Sequence, residues 1–229
     1  MITTLTPNPS LDRTVTLPGP LLRGAVNRLA SVTVEPGGKG VNVARVLAAS
    51  GQPVTTVLPA ATHDPLLAAI AALGLPGLTA LPVPVAGAAR VNTAVTEPDG
   101  TTTKLNEPGA GLSAEEVDAV EHALLEALAS APPTATDEHH WAVLSGSLPP
   151  GAPVDWYVRL VGLLRPLGVR IAVDTSDAPL AALAAALPGS APDLIKPNGE
   201  ELAQLAGVGA TDLEEGITKI GRASCRERV

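Results

Sequence analysis

Pro36-Gly37-Gly38-Lys39-Gly40-Val41-Asn42-Val43-Ala44-Arg45-Val46-Leu47 is the stretch on which the reading of this chain turns. Three glycines and a lysine run into a helical pattern, in which Val43, Val46 and Leu47 are spaced as an apolar stripe. Gly37, Gly38 and Gly40 let backbone approach a ligand with no side chain in the way. A helix start adds free N–H groups and the positive end of the dipole, both suited to an anion. Lys39 brings a full positive charge, and Asn42 can donate to or accept from a hydroxyl. Such a loop fits a phosphorylated or polyhydroxylated small molecule. The plainer alternative is a glycine turn that caps a core helix.

Outward from that loop, residues 2–6 read as a strand ending in the turn Pro7-Asn8-Pro9. Residues 13–17, 29–34, 90–96 and 101–105 alternate in the strand manner, the last two around the hairpin signal Glu97-Pro98-Asp99-Gly100. These four are rich in Thr and Val and are not interleaved with helices, which predicts a small separate sheet. The remainder alternates. Strands are expected at 54–58, 78–82, 141–145, 169–174 and 193–196, and helices at 65–73, 154–167, 180–187 and 200–206. A long helix follows Ser113, whose partner Glu116 makes a capping box. Thr211 and Glu214 make a second box, and residues 134–138 read as a loop. This alternation predicts a parallel sheet with helices on both faces and ligands beyond the carboxyl ends of its strands.

A chain of 229 residues can bury one large domain with a small appendage. With no Phe, one Tyr and two Trp, its core must be Ala, Leu and Val. A net charge of −8 argues against a nucleic-acid surface, although a local basic cluster can still take an anion. Met1-Ile2-Thr3-Thr4-Leu5 has neither the basic flank nor the apolar core of a signal peptide. The uncharged run 66–89 is broken by Pro76, Pro82 and Pro84, so it reads as helix, turn and strand rather than a membrane span. The one cysteine, Cys225, lies in Ile220-Gly221-Arg222-Ala223-Ser224-Cys225-Arg226-Glu227-Arg228-Val229, a segment unlike everything before it. Back-translated with one choice of codons, that segment can be read as a common short-read sequencing adapter; the plain alternative is an ordinary basic tail. The expectation is a partial domain over 1–218 and a non-native tail over 219–229. Without Cys225 no thiol chemistry remains, and a reducing cytoplasm fits.

Five motifs occur in order: Thr6-Pro7-Asn8-Pro9-Ser10-Leu11-Asp12, the glycine loop, Ser145-Gly146-Ser147-Leu148-Pro149-Pro150-Gly151, Asp174-Thr175-Ser176 and Lys196-Pro197-Asn198-Gly199-Glu200-Glu201. Together they resemble the PfkB (ribokinase-like) carbohydrate kinases, and within them the branch of 1-phosphofructokinases and tagatose-6-phosphate kinases. The resemblance covers 1–218 and implies a three-layer α/β/α sandwich with a small β-sheet lid, near 13–34 and 90–105, lacking its C-terminal part. It implies that Asp12 takes sugar hydroxyls, where the local alternative is a turn residue bonding its own backbone. Gly37, Gly38 and Asn42 would line the sugar. Lys39 and Arg90 are the candidates for a phosphate already on it, with Asn92 on the strand face of Arg90. Ser145 ends a strand and offers a hydroxyl to the cleft, where the plain alternative is a strand-ending turn. The segment Lys104-Leu105-Asn106-Glu107-Pro108-Gly109 looks like the lid of the phosphosugar branch.

The family uses ATP and Mg2+. Lys196, Asn198 and Glu201 would sit by the nucleotide phosphates and the magnesium, the glutamate through water, so no direct metal ligand is expected. The plain alternative for Asn-x-x-Glu is a helix start with an acidic first turn. His139-His140 lacks a third ligand and is not expected to hold a metal.

Family members carry a later Gly-Ala-Gly-Asp whose acid takes the proton of the attacking hydroxyl, and no such segment occurs here; Gly109-Ala110-Gly111-Leu112 lacks the acid. No catalytic residue is therefore assigned, and the 229-residue chain is expected to be inactive although its gene encodes an active kinase. The implied reaction is ATP-dependent phosphorylation of a phosphorylated ketohexose, fructose 1-phosphate at its 6-hydroxyl, with tagatose 6-phosphate as the alternative. A non-catalytic sugar-phosphate binder and an inactive fragment are the other readings. A homodimer through the lid is the one protein partner implied, with no nucleic acid and no membrane.

Overall fold

A computed structural model describes residues 1–130 and 140–206. The loop expected at 134–138, His139, the box of Thr211 and Glu214 and the segment 219–229 lie outside the described residues. In chain order the elements are β1 (Ile2–Leu5), β2 (Ser10–Thr16), β3 (Ser31–Gly37), α1 (Lys39–Ala49), β4 (Val54–Ala60), α2 (Pro65–Ala72), β5 (Leu78–Pro84), β6 (Arg90–Thr96), β7 (Thr102–Asn106), α3 (Ala114–Ala129), β8 (Trp141–Ser145), α4 (Trp156–Leu164), β9 (Arg170–Asp174), α5 (Asp177–Ala185), β10 (Leu194–Ile195) and α6 (Gly199–Ala206). Among the described residues no helix is long and apolar enough to cross a membrane.

Six strands form the body sheet in the order β10-β9-β8-β1-β4-β5, every pair parallel. Strand alternation sends Leu5, Val57, Leu144, Ile171 and Val173 to one face, where they meet Val120 and Leu124 of α3 and Leu160 and Leu164 of α4 in the main core. The other face holds α1 and α2, through Val41, Leu58, Leu66 and Ile70 and through Ala44, Ala48 and Val54. This is the three-layer α/β/α arrangement expected from the sequence. The four Thr- and Val-rich segments form a second sheet of order β3-β2-β6-β7, in which β2 and β6 run parallel and the outer pairs antiparallel.

Local signals hold where the chemistry is local. Ser113 Oγ accepts from the Glu116 N–H (3.2 Å) and Glu116 Oε2 accepts from the Ser113 N–H (2.8 Å), which closes the capping box at the start of α3. The helix expected at 154–167 begins at Trp156 and passes into a 3-10 turn at Arg165–Leu167. Pro166 has no N–H to continue the α ladder there.

The face of α1 departs from expectation. Its buried residues are Gly40, Val41, Ala44 and Ala48, while Val46 is 68% exposed. Small side chains bring the helix axis close to β1 and β4, and that approach decides which stripe turns inward. The strand before it also differs, running over Ser31–Gly37 rather than 29–34, because antiparallel pairing with β2 continues to the pair Ser10 and Gly37. Pro36 and Gly37 thus belong to a strand, and the turn into α1 is made at Gly38, φ 100°. On the α1 side of the body sheet, Trp141, Val143, Ala172 and Leu194 line an open apolar trough beside Val43 and Leu47. Leu194 on the edge strand is 53% exposed.

Candidate active site

The parallel register of β2 and β6 sets Ser10 beside Arg90 and Asp12 beside Asn92, so all four share one face of the small sheet. Asp12 Oδ1 accepts from Ser10 Oγ (2.8 Å) and from Asn92 Nδ2 (3.2 Å). Those two donors fix the carboxylate and leave Oδ2 for an incoming hydroxyl. Gly37 is the glycine this carboxylate requires, since a Cβ there would lie 2.6 Å from Asp12 Oδ1.

Arg90 sits beside this pair. Its Nη1 donates to the Glu107 carbonyl and its Nη2 to Ser147 Oγ, each at 3.4 Å. Its Nε and Asn92 Oδ1 are buried without a partner among the described residues. No carboxylate pairs with Arg90 there either; burial pulls its pKa down and the nearby Asp12 charge pushes it back up. A half-buried guanidinium with long contacts and an unfilled N–H is a site poised for an anion. The 107–109 segment closes over it. Glu107 Oε2 accepts from the Val91 N–H (2.8 Å), Asn8 Nδ2 donates to the Pro108 carbonyl (3.0 Å), and Gly109 at φ 98° leaves no room for a Cβ against the Asn8 amide.

Across the α1 start, Gly38 caps the helix with backbone alone, so the first-turn N–H groups meet no side-chain acceptor. Asn42 is exposed, and among the described residues its side chain bonds to Arg45 Nη1 alone, at 3.5 Å. Lys39 turns toward the body sheet, with Nζ 3.1 Å from Asp174 Oδ1, while Lys196 Nζ is 3.6 Å from Asp174 Oδ2. Asp12, Asn92 and Arg90 therefore form one group, and Lys39, Lys196 and Asp174 another; among the described residues Lys39 and Arg90 have no partner in common. Ser145 is fully buried with its hydroxyl unpartnered among the described residues. Ser147, two residues on, is the serine that reaches Arg90. Asn198 and Glu201 cap α6 reciprocally: the Asn198 N–H donates to Glu201 Oε2 (2.8 Å) and the Glu201 N–H to Asn198 Oδ1 (2.9 Å).

Sequence reasoning passed over Asn8, Ser147 and Asp174, although each stands inside a quoted motif. An Asn between two prolines and an Asp closing a strand were the available signals. His140 belongs to no group of three acidic, His or Cys side chains among the described residues.

The family model for the pfkB family carbohydrate kinases matches residues 8–225. The 1-phosphofructokinase of Rhodobacter capsulatus is 39% identical over 217 residues, covering 93% of this chain and 64% of that protein. The ATP-dependent 6-phosphofructokinase isozyme 2 of Escherichia coli (strain K12) is 35% identical over 207 residues, covering 89% and 62%. The crystal structure of phosphofructokinase-2 from Escherichia coli in complex with fructose-6-phosphate superposes with a TM-score of 0.80 at 28% identity, covering 97% of this chain and 69% of that one. The chain spans 60–64% of the length of the curated relatives it matches.

Proposed function

The chain belongs to the pfkB family of carbohydrate kinases, and from that premise we propose that the protein it represents transfers the γ-phosphoryl group of ATP to a hydroxyl of a phosphorylated ketohexose in the cytoplasm. The substrate is fructose 1-phosphate, accepting at its 6-hydroxyl. The observation that supports this reading most is Arg90, a half-buried cation that no carboxylate pairs with among the described residues, set beside the hydroxyl-binding pair Asp12 and Asn92. Asp12 and Asn92 hold the sugar hydroxyls and Arg90 holds the phosphate. Gly37 and Gly38 let the sugar reach the backbone, with the exposed Asn42 at the rim; Ser145, fully buried, does not stand at the cleft surface as the sequence suggested. Lys39 and Lys196 flank the side where a second anion, the nucleotide, would enter.

Magnesium neutralises charge on the nucleotide phosphates when bound. The residues present fit a loose hold only. Glu201 has one oxygen left after its bond to the Asn198 N–H, and Asp174 already carries two ammonium groups. One carboxylate acting through water suits an ion that keeps most of its own shell. In transfer the hydroxyl oxygen bonds to the γ-phosphorus, the bond to the ADP oxygen breaks, and the hydroxyl proton needs a base. The 229 residues hold no Gly-Ala-Gly-Asp to supply it, so on their own they bind sugar phosphate without turnover, and binding is the test.

Calorimetric titration with fructose 1-phosphate, fructose 6-phosphate, tagatose 6-phosphate and fructose is expected to rank fructose 1-phosphate first and plain fructose last. Equal affinity for all four would end the reading. A homodimer through the small sheet is supported by the side opposite Asp12. There Val34 and Leu105 are 51% and 59% exposed, both in register with Arg13 or its neighbour Thr93. Sedimentation of the protein should show a dimer that Val34→Lys converts to monomer.

A further inference from the structure

The bend after β8 is held from beneath by two hydroxyls that no ligand can touch. Tyr157 of α4 is fully buried, and Thr175, just past β9, is 1% exposed. The Tyr157 hydroxyl donates to the Gly146 carbonyl at 2.8 Å, and Thr175 Oγ1 donates to the same oxygen at 3.0 Å. The Gly146 N–H donates to the Asp174 carbonyl at 2.8 Å, extending the β8–β9 ladder by one residue. Gly146 has φ 120°, a conformation that side-chain-bearing residues rarely adopt, and a Cβ there would meet nothing closer than Lys39 Cβ at 4.0 Å. The glycine is thus required by the direction of the chain and not by lack of space.

Both lone pairs of the Gly146 oxygen are taken, so the plane of the next peptide is fixed. In a trans peptide the Ser147 N–H then points away from the two hydroxyls. The Ser147 side chain follows, with Oγ 3.4 Å from Arg90 Nη2 and 3.5 Å from Asn8 Nδ2. Ser147 is one of only two oxygens that Arg90 reaches among the described residues. Burial raises the Tyr157 phenol far above its ordinary value, so it stays a donor at every pH the protein meets.

We propose that Tyr157 and Thr175 are positioning residues for the sugar phosphate, clamping the Gly146 peptide so that Ser147 holds the Arg90 guanidinium in line. This inference rests on the assignment of Arg90 to the phosphate made above. It extends the site one layer inward, to Tyr157 of the main core, which lies in none of the five motifs, and to Thr175, which the motifs contain without a role. Loss of either hydroxyl leaves the carbonyl with one donor. The carbonyl is then still satisfied but free to swing, and the defect passes along the chain to Ser147 rather than into the core.

Tyr157→Phe and Thr175→Val each remove one hydroxyl at nearly constant volume, and two separate variants guard against one failing to fold. Affinity for fructose 1-phosphate is expected to fall about five- to tenfold in each, the worth of one buried hydrogen bond. Affinity for fructose should change by less than about twofold, because Asp12 and Asn92 are untouched. The Arg90 Nε–H resonance should shift in both variants without any ligand. A merely structural role would lower the melting temperature and leave both the affinity ratio and that resonance where they were, and this result would overturn the proposal. If the unsubstituted chain ignores fructose 1-phosphate, the functional reading fails instead, and the arginine resonance still decides whether the clamp reaches Arg90.

Discussion

Gly40→Ala lowers the stability of the chain by about 2 kcal/mol, the reverse of what alanine does at an ordinary helix position. The Cβ would lie 2.7 Å from the Leu5 carbonyl oxygen and closer still to Thr6 Oγ1. The first is main chain of the central strand β1 and cannot rotate away, so α1 must lift. Lifting loosens Val41, Ala44 and Ala48, which are all packed on the sheet through this one line of approach. Overpacking of that kind costs up to about 3 kcal/mol, against roughly 1 kcal/mol gained from helix propensity. A chain of this size then melts about 4–8 °C lower. The control is Gly162→Ala in α4, where a Cβ would meet nothing within 4 Å and the backbone is already helical. There the propensity gain stands alone, and the melting temperature should rise by about 2–4 °C. Two Gly→Ala changes in two helices with opposite signs, read by calorimetry, test whether close approach to β1 explains Gly40.

Arg90→Gln weakens binding of fructose 1-phosphate by about a hundredfold, since truncating one partner of a buried charge pair costs roughly 2–5 kcal/mol. Glutamine ends where the arginine Nε stands, so it loses the Nη contacts to Ser147 and the Glu107 carbonyl, but the segment keeps its bonds from the Val91 N–H and from Asn8. What is lost is the charge and the forked pair of Nη donors, while a neutral N–H remains near the position of Nε. Arg90→Lys recovers only part of the affinity, because a point charge cannot span Ser147 and a phosphate oxygen together. Binding of unphosphorylated fructose should be almost unchanged in both. An equal loss for the two sugars would place Arg90 in structure and not in phosphate recognition.

The sequence carried the α/β architecture because strand and helix periods alternate over most of the chain, and each period is a local property. The small sheet was legible for the same reason, through its Thr and Val strands and the hairpin at 97–100. Partnership across long separations was not. Lys39 announces a charge, but nothing near it in sequence says that the charge meets Asp174, 135 residues away. The α1 stripe was misjudged because hydrophobicity ranks Val46 above Ala44, whereas close packing on a sheet selects the smaller side chain. Asn198 and Glu201 show the converse. The same spacing serves a helix cap and a phosphate-side pair, and the cap is the geometry that α6 displays. The clamp of Tyr157 and Thr175 on Gly146 had no local trace, since it joins three elements through one carbonyl.

The trough formed by Trp141, Val143, Ala172 and Leu194, open among the described residues, leads to an expectation about warming. Contact between water-facing apolar surfaces strengthens as temperature rises through the ordinary laboratory range. Light scattering should therefore climb before helical ellipticity falls, and the onset should move to lower temperature with protein concentration. Colloidal failure, rather than loss of the fold, is then the expected limit on heating this polypeptide.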